Sequence, residues 1–286
     1  VDDSVNFQVY NKQNQTPETV AAVDETKGQV LSYKGDIIET YYYSTSYGHT
    51  GDYEAWNLDK DAYGYLQGVW VRSEENPIDL SDEKSFLDYI SNVDSACYES
   101  DLKYFRWNTV LDFQGKDETL LHTIADRKEH QPEAISYYKD ASKTEKTDSC
   151  SNFGSLQAIK VVKRNQSGVI LELELDFQNG AVSVQSEYNM RAILGCGITN
   201  INLLDGNSVE MSILPSAYIS IQAKGDGTYA VLGGGYGHGI GMSQNGAQKL
   251  CGQGFDYKRI LNYFYQDTEL TELYQPQNMT KEEGGA

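Results

Sequence analysis

Basic side chains are scarce in this sequence: 23 Lys and Arg stand against 42 Asp and Glu, a formal net charge of −19. That balance excludes the basic footprint on which nucleic-acid binding depends. It also disfavours docking on anionic lipid headgroups and suits a solvated, soluble surface. Long apolar runs are missing too; no stretch approaches the roughly 18 residues that a membrane span needs. No leader is evident, because Val1-Asp2-Asp3 stands where Met or a basic segment would open a nascent chain. The expectation is a processed or trimmed chain. Cysteine is limited to Cys97, Cys150, Cys196 and Cys251, which fall into no CxxC metal spacing. An even number in an acidic chain with 22 tyrosines leans toward disulfides in an oxidising compartment. Of three connectivities the preferred one is Cys97–Cys150 with Cys196–Cys251, and free thiols are the alternative.

What is present suffices for a core: 286 residues, 39% of them hydrophobic. Thr16-Pro17-Glu18 predicts a helix start, with Val20 and Val23 on its apolar face and Gly28 as its stop. Residues 29–33 and 36–44 read as a hairpin around Lys34-Gly35. The polar stretch Ser44 to Thr50 must then be a loop. Residues 76–154 are richer in Asp, Glu, Lys and Ser than their flanks. They read as a surface elaboration with a helix over 82–96, capped by Ser81, with Phe86, Leu87, Ile90 and Val93 on one face. Regular β structure resumes with a hairpin, 156–163 and 169–177, across Asn165-Gln166-Ser167-Gly168. A helix over 187–194, strands over 209–213, 218–223 and 229–232, and helices over 243–251 and 257–265 follow. The class is α+β: a β-rich antiparallel core with short helices, plus a partly helical insertion. The expected domains are one discontinuous core (1–75 and 155–272), the insertion 76–154 and a flexible tail 273–286.

Two segments carry chemistry. In Gly233–Ala247 glycines free the backbone to approach another surface closely. His238 sits between two of them, and Ser243 caps the next helix. That is either a platform for a hydroxyl-rich ligand or a tight crossing with His238 as a core residue. In Ser44–Trp56, hydroxyls precede His49, Asp52, Glu54 and Trp56, which is equipment for a sugar; Trp56 as a core anchor is the alternative. No Walker or dinucleotide pattern, no GxSxG and no HExxH occurs. His122 and His130 read as solvated surface. No cofactor and no metal is implied.

Gly237-His238-Gly239-Ile240-Gly241-Met242-Ser243-Gln244-Asn245-Gly246-Ala247 resembles the GHG(V/I)GMSQxGA signature of the stage II sporulation protein D (SpoIID) family. Gly254, Tyr257, Ile260 and Leu261 continue its GxxYxxIL pattern. Gln8-Val9-Tyr10, Ala22 and Thr26 to Leu31 resemble its QVY…A…TxGxVL run. Ser44 to Thr50 resembles its SSSGGxT loop, and Glu54 with Trp56 its ExVW. Tyr65-Leu66 with Val69, Ser167-Gly168, and Arg191 with Leu194-Gly195 match shorter pieces. Residues 1–75 and 155–270 carry the likeness.

The resemblance implies a peptidoglycan lytic transglycosylase, secreted and wall-associated, acting in cell-wall remodelling or sporulation. In that reaction one carboxylic acid protonates a glycosidic oxygen and the muramic C6 hydroxyl attacks C1, leaving a 1,6-anhydro end. The family's acid precedes the QVY run, so the expectation is that it lies outside this chain and that the catalytic residue is unknown. Asn6-Phe7 replace a His-Cys zinc pair found in some members. Tyr47 and His49 depart from the family loop and leave substrate preference open. The implied groove or loop-bracing residues are Ser44, Thr45, Ser46, Glu54, Trp56, Arg191, His238, Ser243 and Gln244, with Arg191 equally an ion-pair partner. Implied partners are peptidoglycan glycan strands and another wall hydrolase. A non-catalytic glycan-binding module, or an enhancer of a wall amidase, is the rival. The insertion either binds a partner or narrows the groove.

Overall fold

The computed structural model describes residues 14–73 and 78–273. Gln8-Val9-Tyr10, Asn6-Phe7 and all of the expected tail 273–286 except Leu273 lie outside the described residues. The chain divides into two compact units: Val1–Glu39 with Thr268–Ala286, and Thr40–Asp267.

In the first unit, helix α1 (Pro17–Glu25) starts as the sequence predicts. Pro17 takes the first turn, and the Thr16 hydroxyl accepts the Thr19 amide at 3.3 Å. The expected apolar face is not covered: no residue of α1 is buried, and Val23 is 68% exposed. Strand Gln29–Tyr33 pairs antiparallel with Asp36–Ile37 and with Glu269–Glu272. Lys34 (φ 52°) and Gly35 (φ 91°) both take left-handed backbone, the geometry that suits the twist of a two-residue hairpin.

The second unit is built on two five-stranded antiparallel sheets. One runs in the order Ser208–Val209, Ile201–Leu203, Trp107–Asp112, Thr228–Gly233, Ile219–Ala223. The other runs Lys146–Thr147, Ile135–Tyr138, Gly180–Val184, Ile170–Phe177, Leu156–Arg164. Trp107–Asp112 alternates as a half-buried strand should, with Trp107, Thr109 and Leu111 turned inward. Beyond the short helices α2 (Lys60–Tyr63) and α3 (Glu83–Ile90), helices α4 (Asp117–His130) and α5 (Glu187–Gly195) bring Leu120, Ile124, Met190, Ile193 and Leu194 into the same apolar cluster as Leu111, Leu173 and Val231. Each such aliphatic side chain contributes about 1.5–3 kcal/mol by leaving water. The acidic stretch 76–154 therefore supplies central strands and core residues, in addition to exposed charge.

Helix α3 (Glu83–Ile90) is shorter than expected and is capped by Asp82, which accepts the Ser85 amide at 2.9 Å; Ser81 is not the cap. The Ser91 and Asn92 side chains bond back to the carbonyls of Leu87 and Asp88 as the helix stops. Phe86, Tyr89 and Ile90 are buried, while Val93 lies beyond the end and is exposed. Two buried arginines tie this region to the loops around it. Arg106 donates to the carbonyls of Asn92, Tyr47, Phe105 and Tyr89. Arg164 grips Glu83 with two nitrogens (2.6 and 2.9 Å) and also donates to the carbonyls of Gly168 and Ile219.

The expected disulfides are absent: all four cysteines are free thiols. Cys97 is buried 3.5 Å from the Tyr89 hydroxyl, and burial pushes its thiol up to about 11. Cys150 lies against the Leu121 carbonyl, Cys196 against the Thr123 hydroxyl, and Cys251 is exposed on helix α6 (Gln244–Gly252). The preferred partners are thus anchored to different elements. No helix among the described residues is long and apolar enough to cross a membrane.

Candidate functional site

The two chemistry-bearing segments meet, and backbone joins them. Strand Tyr42–Tyr43 pairs in parallel with Met242–Ser243. Thr45 and Tyr236 exchange amide–carbonyl bonds of 3.1 and 2.8 Å, and the Gly51 amide donates to the Gly239 carbonyl at 2.6 Å. The close surface that the glycines serve is therefore the 41–51 loop of the same chain. Gly235 has φ 82°, and a Cβ there would stand 2.9 Å from the Thr45 carbonyl oxygen.

Beneath this crossing sits Glu99, with 0% of its surface exposed. Its carboxyl accepts the Ser46 amide (3.0 Å), the Ser46 hydroxyl and the Ser243 hydroxyl (2.7 Å). Burial pushes it up to about 7 against the pull of these serine bonds. Ser243 Oγ also accepts the Gly246 amide at 3.2 Å, capping α6 as the sequence predicts. Ser46, Thr45 and Ser243 are buried. Ser44 gives its carbonyl to the Asn245 amide and side chain (3.1 and 3.0 Å), and its hydroxyl lies 3.2 Å from that of Thr45. These four brace the loops and do not face the open groove described below. Tyr47 and His49, left open by the sequence, are buried as well. The Tyr47 hydroxyl donates to the Ser167 carbonyl and its ring stacks on Tyr218 at 4.5 Å; His49 donates Nδ1–H to the Thr50 carbonyl and meets Trp70 edge-on.

His238 uses both ring nitrogens. Nδ1 accepts the Ile240 amide (3.1 Å), so Nε2 carries the proton and donates to the Tyr42 carbonyl (2.9 Å). Burial holds its pKa below the usual imidazole range. Its ring packs 5.0 Å from Trp56, and Trp56 meets Tyr41 edge-on at 4.9 Å. His238 is thus the backing of Trp56.

Trp56 ends a 3-10 turn, Tyr53–Trp56, capped by Asp52 through the Glu54 amide at 3.0 Å. Asp52 in turn accepts from Asn165 Nδ2 (2.8 and 2.9 Å) and the Ser167 hydroxyl (2.8 Å), and the same Asn165 Nδ2 reaches Glu54 at 3.0 Å. Burial raises the Asp52 pKa, and these bonds oppose it. Asn165 Oδ1 accepts the Ser167 and Val169 amides, so the hairpin turn found in the sequence sets the spacing of both carboxylates. The outcome is an open groove of about 860 Å³ with Tyr41, Glu54 and Trp56 on its wall together with Glu172, Gln185 and Tyr188.

The other expected site residues lie elsewhere. Arg191 is an ion-pair partner: Nη1 meets Glu187 at 3.0 Å and Nε donates to the Leu214 carbonyl at 2.9 Å. Gln244 is exposed in the first turn of α6 and is not part of the groove wall. Sequence reasoning missed Glu99, one acid among 42, and the reach of Asn165, whose Oδ1 closes its own turn while its Nδ2 bonds Asp52 and Glu54. The hydroxyls at Ser46 and Ser243 were the available signal for Glu99, since buried hydroxyls need partners. Among the described residues no group of three or more His, Cys, Asp or Glu could hold a metal ion.

A family model described as a domain of unknown function, DUF8618, matches residues 49–241. The chain is 26% identical to the amidase enhancer of Bacillus subtilis (strain 168), covering 95% of the chain and 35% of that protein. It is 22% identical to stage II sporulation protein D of the same strain, covering 95% and 60%. An uncharacterized protein of Brachyspira hyodysenteriae is 23% identical over 95% of the chain and 54% of that protein. The chain thus spans between about a third and three-fifths of the lengths of these relatives.

Proposed function

This chain belongs to the DUF8618 family and is related to stage II sporulation protein D, and from that footing we propose that it is an extracytoplasmic, wall-associated protein whose groove binds glycan strands of peptidoglycan. One observation carries the reading: Glu54 and Trp56 share an open groove with Tyr41 and Tyr188. Flat aromatic faces cover the apolar side of a sugar ring, and a carboxylate accepts its hydroxyls and amide N–H groups. His238 fixes the Trp56 ring from behind, and Asn165 fixes the Glu54 carboxylate, so the wall is set before ligand arrives.

The finer reading is strand cleavage by lytic transglycosylation in cell-wall remodelling or sporulation. A carboxylic acid protonates the glycosidic oxygen between N-acetylmuramic acid and N-acetylglucosamine. The muramic C6 hydroxyl then attacks C1 and yields its proton to the same group, closing a 1,6-anhydro ring. Glu54 orients the strand in this reading and is not the acid. The amidase enhancer among the relatives favours a second reading, in which the groove holds the strand for a separate wall amidase and breaks no bond.

Digestion of purified peptidoglycan, with and without stem peptides, separates the two. Anhydro-muramic ends by mass spectrometry support cleavage. Glycan binding that stimulates an added amidase without such ends supports the enhancer. Absence of glycan binding overturns both.

A further inference from the structure

A second cavity, of about 620 Å³, lies between α4 and the segment 148–151, and neither reading above uses it. Its inner surface is apolar: Leu121, Ala125, Pro132 and the ring of Tyr137. Its rim carries the exposed carboxylates Glu118, Glu129 and Asp148 beside the exposed imidazole of His122. Lys128, the lysine of the lining, is already engaged by the carbonyls of Ile135 (2.7 Å) and Pro132 (3.3 Å). Its ammonium also sits 5.0 Å from the centre of the Tyr137 ring, so the carboxylates dominate the rim. The buried Tyr137 hydroxyl, beside the Cys150 thiol, makes no hydrogen bond of normal geometry. Apolar walls under a rim with three carboxylates suit an aliphatic stem ending in a primary ammonium.

The cavity's position adds a second constraint. Pro132 lines both this cavity and the groove of Glu54 and Trp56. The two sites are therefore neighbours across the turn Pro132–Ala134. A linear strand in the groove would not need the second cavity, whereas a branch leaving the strand would cross Pro132 into it. We propose that the cavity between α4 and residues 148–151 binds the peptide branch of a peptidoglycan strand, receiving the amine-bearing side chain of its diamino acid against Glu118, Glu129 and Asp148. The proposal rests on the groove reading and extends it: the groove takes the sugars and the cavity selects strands that still carry peptide.

The test measures binding of three disaccharide fragments by calorimetry: peptide-free, peptide-bearing with a free side-chain amine, and peptide-bearing with that amine acetylated. The wild type is expected to bind the free-amine fragment about tenfold tighter than the peptide-free one, as several partly exposed ion pairs acting together allow. Acetylation is expected to remove the gain. The variant Glu129→Gln with Asp148→Asn, both at exposed positions, is expected to lose the gain while keeping wild-type affinity for the peptide-free fragment and a wild-type melting curve. Equal affinity of the wild type for all three fragments overturns the proposal, as does a gain that survives in the variant. If the peptide-free fragment does not bind at all, the groove reading falls, and the free peptide alone then decides on the cavity. Saturable, amine-dependent binding of that peptide, lost in the variant, upholds the cavity's part; no binding overturns it.

Discussion

The Ser243 hydroxyl donates to Glu99 at 2.7 Å while its oxygen accepts the Gly246 amide at 3.2 Å, so one side chain both caps a helix and holds a buried acid. Ser243→Ala removes both bonds. The expected cost is about 2–3 kcal/mol in urea unfolding, the sum of a lost cap and an under-bonded buried carboxyl. Ser243→Thr, which keeps the oxygen, should recover part of it. A Ser243→Ala variant as stable as wild type would show that the buried acid finds other partners.

Glu99 and His49 make opposed contributions to stability as pH changes. Burial raises Glu99 from 4.5 to about 7, so within that window the folded chain keeps a proton that the unfolded chain releases. Stability therefore falls as pH rises through it. Burial lowers His49 from 6.5 to about 4, so within that window the unfolded chain holds the extra proton and stability rises with pH. The slopes oppose each other wherever the windows overlap. Glu99→Gln should tilt the stability curve upward with pH, and His49→Gln should tilt it downward, by at most about 3 kcal/mol each. Unfolding midpoints across both windows check this; parallel curves for the two variants and the wild type would defeat it.

Arg191→Ala leaves Glu187 buried without its cation, an expected loss of about 3 kcal/mol in thermal or urea unfolding. Glycan affinity of the folded fraction should not change, because Arg191 is outside the groove wall. Weaker glycan binding at unchanged stability would return Arg191 to the groove.

Trp56→Ala should weaken glycan binding about tenfold or more, and Trp56→Phe less, because the phenyl ring preserves part of the flat face. Titration with peptide-free glycan fragments reads this directly. Unchanged affinity in Trp56→Ala would remove the groove from the functional account.

Local features of the fold, some of them at the site, were legible in the sequence. The Lys34-Gly35 turn, the Ser243 cap and the hairpin over residues 165–168 each depend on neighbours a few residues away, and each appears in the structure. The α+β class followed from the same local patterns. The roles of the site residues were less legible, because burial depends on distant packing. Ser44 and Thr45 read as groove or loop-bracing residues, and the segment they bond to, about 200 residues away, was not legible in their own loop. Residues 76–154 read as surface from their charge, yet Leu111, Leu120 and Ile124 among them are fully buried. Val20 and Val23 show the converse, an apolar pattern with no buried side chain. The disulfide expectation came from counting cysteines, which says nothing about what each sulfur will touch.

The parallel pairing of Tyr42–Tyr43 with Met242–Ser243 has a temporal consequence. A chain made from its amino end holds residues 41–56 long before their mates exist. The backing of Trp56 requires His238, and the loop bracing requires Asn245, which lies 201 residues after Ser44. Contacts of such sequence separation form slowly, after the loop entropy between them has been lost. A partial chain that stops short of His238 therefore has no finished groove, and the site is assembled only once residues 236–246 have been made.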